Sequence, residues 1–185
     1  MNFLVLDLET TGIDTRRDIP IQLAWNVYDK DFRLKAAGQS LVNSGVGVTP
    51  FIENLTGIST KDLLAKGLKP SEVAKNYTNL VWNYQPLMLI GYNLINFDLP
   101  ILQNFLANHN PGKFKFPPVT LVCDVMFLGR DYFGMRKWLK LSVIAKKLGI
   151  SFDSDALHNA LADVELTWKV FEKLLQKGAL TYDLV

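Results

Sequence analysis

Asp7 and Glu9 follow an apolar run, residues 3–6, in the N-terminal segment FLVLDLETTG. An apolar run of this kind predicts a central strand covered on both faces, and side chains two positions apart in a strand project from the same face. Two carboxylates at the end of a buried strand carry a desolvation cost, and the first basic residue after them is Arg16. A bound divalent metal ion would offset that cost. An exposed acidic turn explains the pair equally well, so other residues must decide between the two.

Asp98 is a second acidic candidate, in the segment GYNLINFDLPIL. It lies between a predicted strand and a predicted helix, at the position of an N-cap, and Pro100 is tolerated in a first helical turn. Capping alone would explain this aspartate. The same position also holds a carboxylate at the edge of the sheet, where strand ends form ligand sites. The two roles are compatible.

His158 and Asp163 form a third candidate group, in LHNALADVELTW. Five positions on a continuous helix would place the two side chains about 140° apart, so His158 is expected to precede the helix, with Asn159 as its cap. Asp163 then suits a metal ligand, and His158 suits a base on the approach to the same pocket. A favourable charge near a helix N-terminus explains Asp163 alone, and a surface histidine explains His158 alone. Their joint spacing favours the functional interpretation.

The elements that must position these groups follow from apolar periodicity. After the first strand, the sequence predicts strands at 19–28, 34–42, 87–90 and 120–126. Helical spacing predicts helices at 71–84, with Ser71 as a cap, at 99–108, at 139–148 and after Asn159. An antiparallel start followed by crossover helices predicts a mixed sheet with helices packed on it.

Composition limits the class of protein. The chain has 185 residues, 49% hydrophobic and 21% charged, which fits one globular domain. Its apolar runs are too short for a signal peptide or for the roughly 18 residues of a membrane span, so a cytoplasmic protein with no membrane association is expected. Cys123 is the single cysteine, which excludes disulfides within the chain and cysteine-built zinc sites. We expect it to pack as a small apolar residue.

Basic residues are concentrated between residues 111 and 150. This stretch has eight lysines and arginines against Asp124 and Asp131, and Tyr132, Phe133 and Trp138 lie among them. Such a mixture suits a phosphate backbone and stacked bases. A solvated loop and helix face with aromatic residues in the core would give the same pattern. The stretch therefore supports a nucleic-acid partner without establishing one.

Taken together, the three groups resemble the motifs of the DnaQ-like 3′→5′ exonucleases, in the DEDDh branch of that superfamily. The family is marked by D-x-E followed by T-T-G, by N-x-x-x-F-D and by H-x-x-x-x-D, in that order, with a G-I-T/S element between the first two. The corresponding residues are Asp7, Glu9, Thr10, Thr11 and Gly12, then Gly57, Ile58 and Ser59, then Asn93, Phe97 and Asp98, and finally His158 and Asp163.

The resemblance implies a ribonuclease H-like, three-layer α/β fold with a central five-stranded mixed sheet, as a single exonuclease domain over residues 1–185. It implies that Asp7, Glu9, Asp98 and Asp163 hold two divalent metal ions, Mg²⁺ or Mn²⁺, which prefer such oxygen ligands. His158 would take a proton from the attacking water, and 5′-mononucleotides would be released.

The resemblance also implies substrate contacts and partners. Thr10 would meet the terminal sugar, Ile58 would wedge between the last two bases, and Phe97 would pack on the sugar or base. Positions in the core would explain Ile58 and Phe97 equally well. The expected partners are single-stranded 3′ ends of DNA or RNA and, for a proofreading member of the family, a DNA polymerase. Asp124 is expected to support the site by hydrogen bonds and not as a metal ligand.

Two alternative functions stay open at this point. One is a catalytically weak nucleic-acid-binding or polymerase-accessory module. The four acids argue against it, because a protein that only binds nucleic acid has no need for converging carboxylates, which repel phosphate without a metal ion. The other is an RNA-trimming exoribonuclease, since the choice between DNA and RNA depends on contacts to the 2′-hydroxyl that a sequence does not show.

Overall fold

A five-stranded sheet forms the centre of the computed structural model, which describes residues 1–85, 87–109, 121–153 and 159–179. The strands are β1 (Asn2–Thr10), β2 (Pro20–Tyr28), β3 (Leu34–Leu41), β4 (Leu87–Gly91) and β5 (Leu121–Asp124). Their order across the sheet is β3-β2-β1-β4-β5. The β1–β2 and β2–β3 pairs are antiparallel, whereas β4 is parallel to both β1 and β5. The sheet is therefore mixed, as predicted, and β1 is its central strand.

Seven α-helices are found in the described part of the chain. They are α1 (Pro50–Thr56), α2 (Thr60–Lys66), α3 (Pro70–Asn83), α4 (Asp98–His109), α5 (Val125–Tyr132), α6 (Leu141–Lys147) and α7 (Ala160–Gln176). Among these described residues, none of the helices combines the length and apolar character needed to cross a membrane.

Alternate side chains of β1 enter two separate hydrophobic cores. Phe3 and Val5 pack in the core formed with α5, α6 and α7, whereas Leu4 and Leu6 pack in the core formed with α3 and α4. Each face of the sheet is therefore covered by helices, which is the three-layer arrangement that the resemblance implies. Because alternate residues of a strand point to opposite faces, Asp7 continues the face that α7 covers.

Several predicted boundaries are wrong by a few residues. In one case a helix cap ends the strand before the apolar pattern ends. The predicted strand over 120–126 stops at Asp124, whose side chain accepts the N–H of Met126 at 3.0 Å and caps α5. The predicted cap Ser71 lies inside the first turn of α3, which begins at Pro70. Cys123 is buried in the core, as expected.

The apolar pattern does not predict α1 and α2. Each has only seven residues, which is too short for a helical repeat to stand out. Their caps carry the signal instead: Thr49 accepts the N–H of Ile52 at 3.3 Å, and Ser59 accepts the N–H of Asp62 at 3.0 Å. A third, smaller core forms around these short helices and contains Ile58.

Candidate active site

The end of β1 presents Asp7 and Glu9 beyond the last pairing with β4. The parallel ladder between β1 and β4 ends at Val5, whereas the antiparallel ladder with β2 continues and places Glu9 opposite Gln22. The register with β2 then shifts between Glu9 and Thr10. Irregularities of this kind are common next to active sites, where they redirect side chains. Both carboxylates thus project from the part of β1 that pairs with β2 but no longer with β4.

The start of α7 is fixed by Asn159, as predicted from the sequence. Its side-chain oxygen accepts the N–H groups of Leu161 at 3.1 Å and Ala162 at 3.3 Å. The helix therefore begins at Ala160, and Asp163 lies in its first turn. An aspartate there is also favoured by the positive end of the helix dipole.

Asp163 meets the two carboxylates of β1 because α7 covers the same face of the sheet. Asp7, Glu9 and Asp163 are each partly exposed, and one carboxylate oxygen of each lies within 4.8 Å of the other two. The structure thus brings together three of the predicted metal ligands from two distant segments of the chain.

Asp98 reaches the same strand end from α4. The sequence predicts it as the cap before that helix, but it is the first residue of the helix itself. The residue is only 3% exposed. One of its carboxylate oxygens accepts the N–H of Leu8 at 3.0 Å, on the part of β1 that has passed the end of β4. The carboxylate therefore satisfies a strand N–H that β4 no longer pairs. We call Asp7, Glu9, Asp98 and Asp163 the acidic edge.

Burial and repulsion between carboxylates raise the pKa values of Asp7, Glu9 and Asp98. Burial raises the pKa of Glu9 to about 8, and the charges of Asp163 and Asp98 add to the effect. Burial is also the main cause that raises the pKa of Asp7 well above its ordinary value, with further contributions from its three acidic neighbours. For Asp98, burial raises the pKa to about 8 although the N–H of Leu8 opposes the shift.

A divalent metal ion fits this donor set. The groups that act on Glu9 are carboxylates, so charge repulsion is relieved either by protons or by a cation. Carboxylate oxygens are the hard ligands that such ions prefer. The chemistry of the acidic edge is therefore that of a site for divalent metal ions.

Asp124 supports the acidic edge through hydrogen bonds, as expected. It is 3% exposed, and its carboxylate accepts the N–H groups of Asn93 at 2.9 Å and Ile95 at 3.1 Å, in the loop that leads to Asp98. The same carboxylate caps α5 through the N–H of Met126. Asn93 takes a left-handed conformation, with φ 56°, so the loop turns sharply at this point. Asp124 thus fixes the path of the chain between β4 and α4.

His158 lies outside the described residues, and its role as the base stays a prediction. The adjacent residue Asn159 is described, and it lines the cavity beside Gln22. Because Gln22 is the β2 partner of Glu9, Asn159 at the start of α7 lies on the side of the sheet that carries the acidic edge.

The predicted substrate contacts occupy different surroundings. Thr10 is 6% exposed and its hydroxyl donates to the carbonyl oxygen of Gly12 at 2.6 Å. Ile58 is 7% exposed and packs in a core cluster, yet it also lines the cavity. Phe97 packs against the core formed with α3 and α4. Their contacts with a substrate stay predictions.

A cavity of about 560 Å³ lies between the edge of β3, the turn after α1 and the start of α7. Its lining residues include Gln22, Gln39, Gly57, Ile58 and Asn159. The amide of Gln22 donates to the side-chain oxygen of Gln39 at 2.8 Å, which forms a polar floor beside Glu9. Neither glutamine is predicted as a site residue from the sequence. Gln22 could have been recognised as the one polar residue in the run over residues 19–25, whereas Gln39 has no such signal because β3 also carries Lys35 and Ser40.

Comparisons with known proteins agree with this geometry. The exonuclease family model, RNase T, matches residues 4–171. DNA polymerase III subunit epsilon of Aquifex aeolicus is 27% identical over 175 residues, which cover 95% of this chain and 81% of that protein. The 3′-5′ exonuclease DinG of Bacillus subtilis is 30% identical over 177 residues, which cover 95% of this chain and 18% of that protein.

A solved structure shows the same fold. E. coli exonuclease I in complex with a dA16 oligonucleotide superposes with a TM-score of 0.78 and 23% identity, covering 95% of this chain and 41% of that one. The present chain thus spans less than half of exonuclease I and less than a fifth of DinG. The fold is ribonuclease H-like, as the resemblance implies. The chain belongs to the exonuclease family, and it carries a 3′→5′ exonuclease domain.

Proposed function

We propose that this chain hydrolyses the last phosphodiester bond at the 3′ end of single-stranded DNA and releases 5′-mononucleotides. The observation that carries the proposal is the meeting of Asp7, Glu9 and Asp163, with oxygens within 4.8 Å of one another, in a chain of the exonuclease family. Asp98 binds the same strand end through Leu8 and adds a fourth carboxylate.

The four carboxylates of the acidic edge would hold two divalent metal ions, Mg²⁺ or Mn²⁺. When bound, a pair of such ions stabilises the charge that develops on the attacking and leaving oxygens of the phosphate. Asp7, Glu9 and Asp163 offer oxygens to a common point, and Asp98 holds the end of β1 in place while it contributes its own charge. Without a cation this edge repels phosphate, so the activity depends on the metal.

His158 would act as the general base. An ordinary histidine has a pKa of about 6.5, so it can accept a proton near neutral pH. The oxygen of the attacking water forms a bond to phosphorus, and the proton of the water passes to His158. The bond between phosphorus and the 3′ oxygen of the penultimate nucleotide breaks, and that oxygen takes a proton from solvent.

The cavity beside Glu9 would receive the terminal nucleotides. Ile58 and Asn159 lie on its wall, and the Gln22–Gln39 pair forms its polar floor. Thr10, at the end of β1, and Phe97, directly before α4, would complete the contacts. DNA is the proposed substrate because the relative in Aquifex aeolicus is a DNA polymerase subunit and the solved structure contains a dA16 oligonucleotide.

A DNA polymerase is the proposed partner, on the same ground. The name of the epsilon relative places that protein in DNA polymerase III. Residues 1–185 would act as one domain, which the match of the family model to residues 4–171 supports.

The test is a parallel digestion of single-stranded DNA and RNA with 5′ labels, in Mg²⁺, in Mn²⁺ and in EDTA. We expect a ladder that shortens from the 3′ end in either metal and full-length DNA in EDTA. Faster digestion of RNA would replace the proposal with an exoribonuclease. Internal fragments at early times, or cleavage that persists in EDTA, would refute it.

A matched pair of variants on α7 distinguishes the loss of a metal ligand from a general effect of changing charge on this helix. Asp163→Asn removes one proposed ligand, whereas Glu165→Gln changes an exposed carboxylate two residues further along the same helix. Only the first variant should abolish the ladder. DNA binding without cleavage by the wild-type chain in metal would instead indicate a binding module.

A further inference from the structure

Positive charge is concentrated in residues 127–147, which we call the basic segment. It has six lysines and arginines against Asp131 as its one acid. Five of these cations are exposed, namely Arg136, Lys137, Lys140, Lys146 and Lys147. The segment spans the end of α5, the connection 133–140 and the whole of α6.

An exposed tryptophan in this segment is held in place by its neighbours. Trp138 is 59% exposed. Its ring packs edge-on against Phe127, with centroids 5.4 Å apart, and the guanidinium of Arg130 lies 5.1 Å from the Phe127 ring and 5.7 Å from the Trp138 ring. Asp131 fixes that guanidinium through an ion pair of 2.6 Å. We call Phe127, Arg130 and Trp138 the Trp138 platform.

The arrangement of the platform is typical of a stacking surface for bases. Burying a tryptophan would be favourable, so an exposed one leaves apolar area unused. Its contacts with Phe127 and Arg130 restrict the ring before any ligand binds, which lowers the entropy lost on binding. A base can stack on the exposed part of such a ring, and surrounding cations can hold the phosphates on either side of that base.

The platform lies at the same edge of the sheet as the carboxylates. Tyr92 directly follows β4, and its hydroxyl donates to the carbonyl oxygen of Leu139 at 2.5 Å. Asp124 accepts the N–H groups of Asn93 at 2.9 Å and Ile95 at 3.1 Å, in the loop that joins Tyr92 to Asp98. The loop that ends at Asp98 therefore begins at Tyr92, which contacts the connection that carries Trp138.

We propose that the basic segment is a second binding surface for the same single strand, on the 5′ side of the nucleotide that is removed. Bases several positions from the 3′ end stack on Trp138, and their phosphates meet Arg136, Lys137 and Lys140. The proposal rests on the proposed function, because the 3′ end must lie at the acidic edge. The exposed cations of the segment suit the phosphates of that part of the strand, and the exposed ring of Trp138 suits its bases.

The matched control is Trp82, which is 54% exposed but belongs to α3 in the helical layer on the other face of the sheet. The first experiment measures the kinetics of the full chain with oligothymidylates of two and of about 16 nucleotides. Trp138→Ala should raise KM for the long strand by about tenfold, the range of one lost base–aromatic stack, and leave kcat unchanged. It should leave both constants for the dinucleotide unchanged, because a dinucleotide does not reach the platform.

Trp82→Ala should change none of these constants, and Trp138→Phe should recover most of the affinity because it restores an aromatic face. Equal effects of Trp138→Ala on both substrates would mean a structural disturbance of the active site and would overturn the proposal. Equal behaviour of Trp138→Ala and Trp82→Ala would also overturn it.

A binding measurement separates this proposal from the proposed function. In an Asp7→Asn background, fluorescence anisotropy of a labelled long strand reports binding without cleavage. Trp138→Ala should weaken that binding by about tenfold, and Lys137→Gln should lower the salt dependence, with a slope smaller by about 0.7. Unchanged binding in both variants would overturn the proposal. If the strand binds here but the wild-type chain cleaves nothing, the proposed function fails and the surface stands.

Discussion

The acidic edge and the basic segment carry opposite charges, and their surroundings act on those charges in opposite ways. In the acidic edge, carboxylates face one another: burial raises the pKa of Glu9, and the charges of Asp163 and Asp98 raise it further. In the basic segment, cations lie over aromatic rings: the guanidinium of Arg130 is 5.1 Å from the ring of Phe127. The neighbours of the first region repel its charge, whereas the neighbours of the second attract it.

This difference separates a site that needs its ligand from a surface that is ready for one. Ionised carboxylates that face each other in a partly buried site destabilise the fold until a cation binds or protons neutralise them. Cations over aromatic rings gain a favourable interaction in the absence of any ligand. Removing charge from the two regions should therefore have opposite effects on stability.

The largest effect is expected for Asp7→Asn. This change removes one of the three clustered carboxylates and should lower kcat/KM on the order of 10⁴-fold, as for other residues that act as a unit with their partners. The metal-free variant should nevertheless melt at a higher temperature than the wild type, since repulsion from Glu9, Asp98 and Asp163 is relieved. Digestion rates and thermal melts in EDTA measure both quantities. A variant that loses activity and stability together would indicate a folding defect instead.

His158→Ala should lower kcat by about 10²- to 10⁴-fold, the usual contribution of a general base. Because the metal ligands are unchanged, Mn²⁺ should raise the melting temperature of this variant as much as that of the wild type. His109, at the end of α4, supplies the control: His109→Ala should retain wild-type kcat. Loss of the metal-induced stabilisation in His158→Ala would make His158 a ligand and not a base.

In metal-free protein, the free energy of unfolding should fall as the pH rises from about 4.5 to about 8. The pKa of Glu9 is about 8 in the folded protein and that of the free side chain is 4.5. A raised pKa stabilises the fold fully below the unfolded value, and the stabilisation is lost as the pH rises through the folded value. Asp98, with a pKa of about 8, acts in the same direction.

Thermal melts in EDTA at about pH 5 and about pH 8 measure this effect, and we expect the melting temperature to fall by several degrees. Adding Mn²⁺ at the higher pH should restore it, because the cation replaces the protons. A melting temperature that stays constant or rises across this interval would contradict the contrast between the two regions. Glu9→Gln should reduce the pH dependence and thereby assign part of it to this residue.

The predictability of the two regions from the sequence also differs. Asp7 and Glu9 could be placed on one face because strand alternation is a local rule, and Phe3 and Val5 confirm that face. Asn159 could be recognised as the cap of α7 for the same reason, since capping depends on adjacent residues. Local rules thus predicted the face of β1 that carries Asp7 and Glu9, and the start of the helix that carries Asp163.

Contacts between distant segments could not be predicted in this way. Asp98 suggested a helix cap, but its carboxylate accepts the N–H of Leu8, 90 positions away. Nothing in the pattern around Trp138 indicates that Arg130 and Phe127 hold its ring, or that Tyr92 binds the adjacent carbonyl. The sequence could therefore predict the composition of the basic segment but not its place beside the carboxylates.

The smallest effect concerns one charge from each region, and its value lies in the sign. Glu9→Gln should raise the free energy of unfolding at about pH 8 in EDTA, because it removes a repelled charge. Lys147→Gln should lower it by about 0.5–1 kcal/mol, because the ammonium group lies 5.3 Å from the ring centre of Phe133. Urea denaturation of both variants under the same conditions measures the two changes. Changes of the same sign would show that general charge balance controls stability; opposite signs would show that the local neighbours of each charge do so.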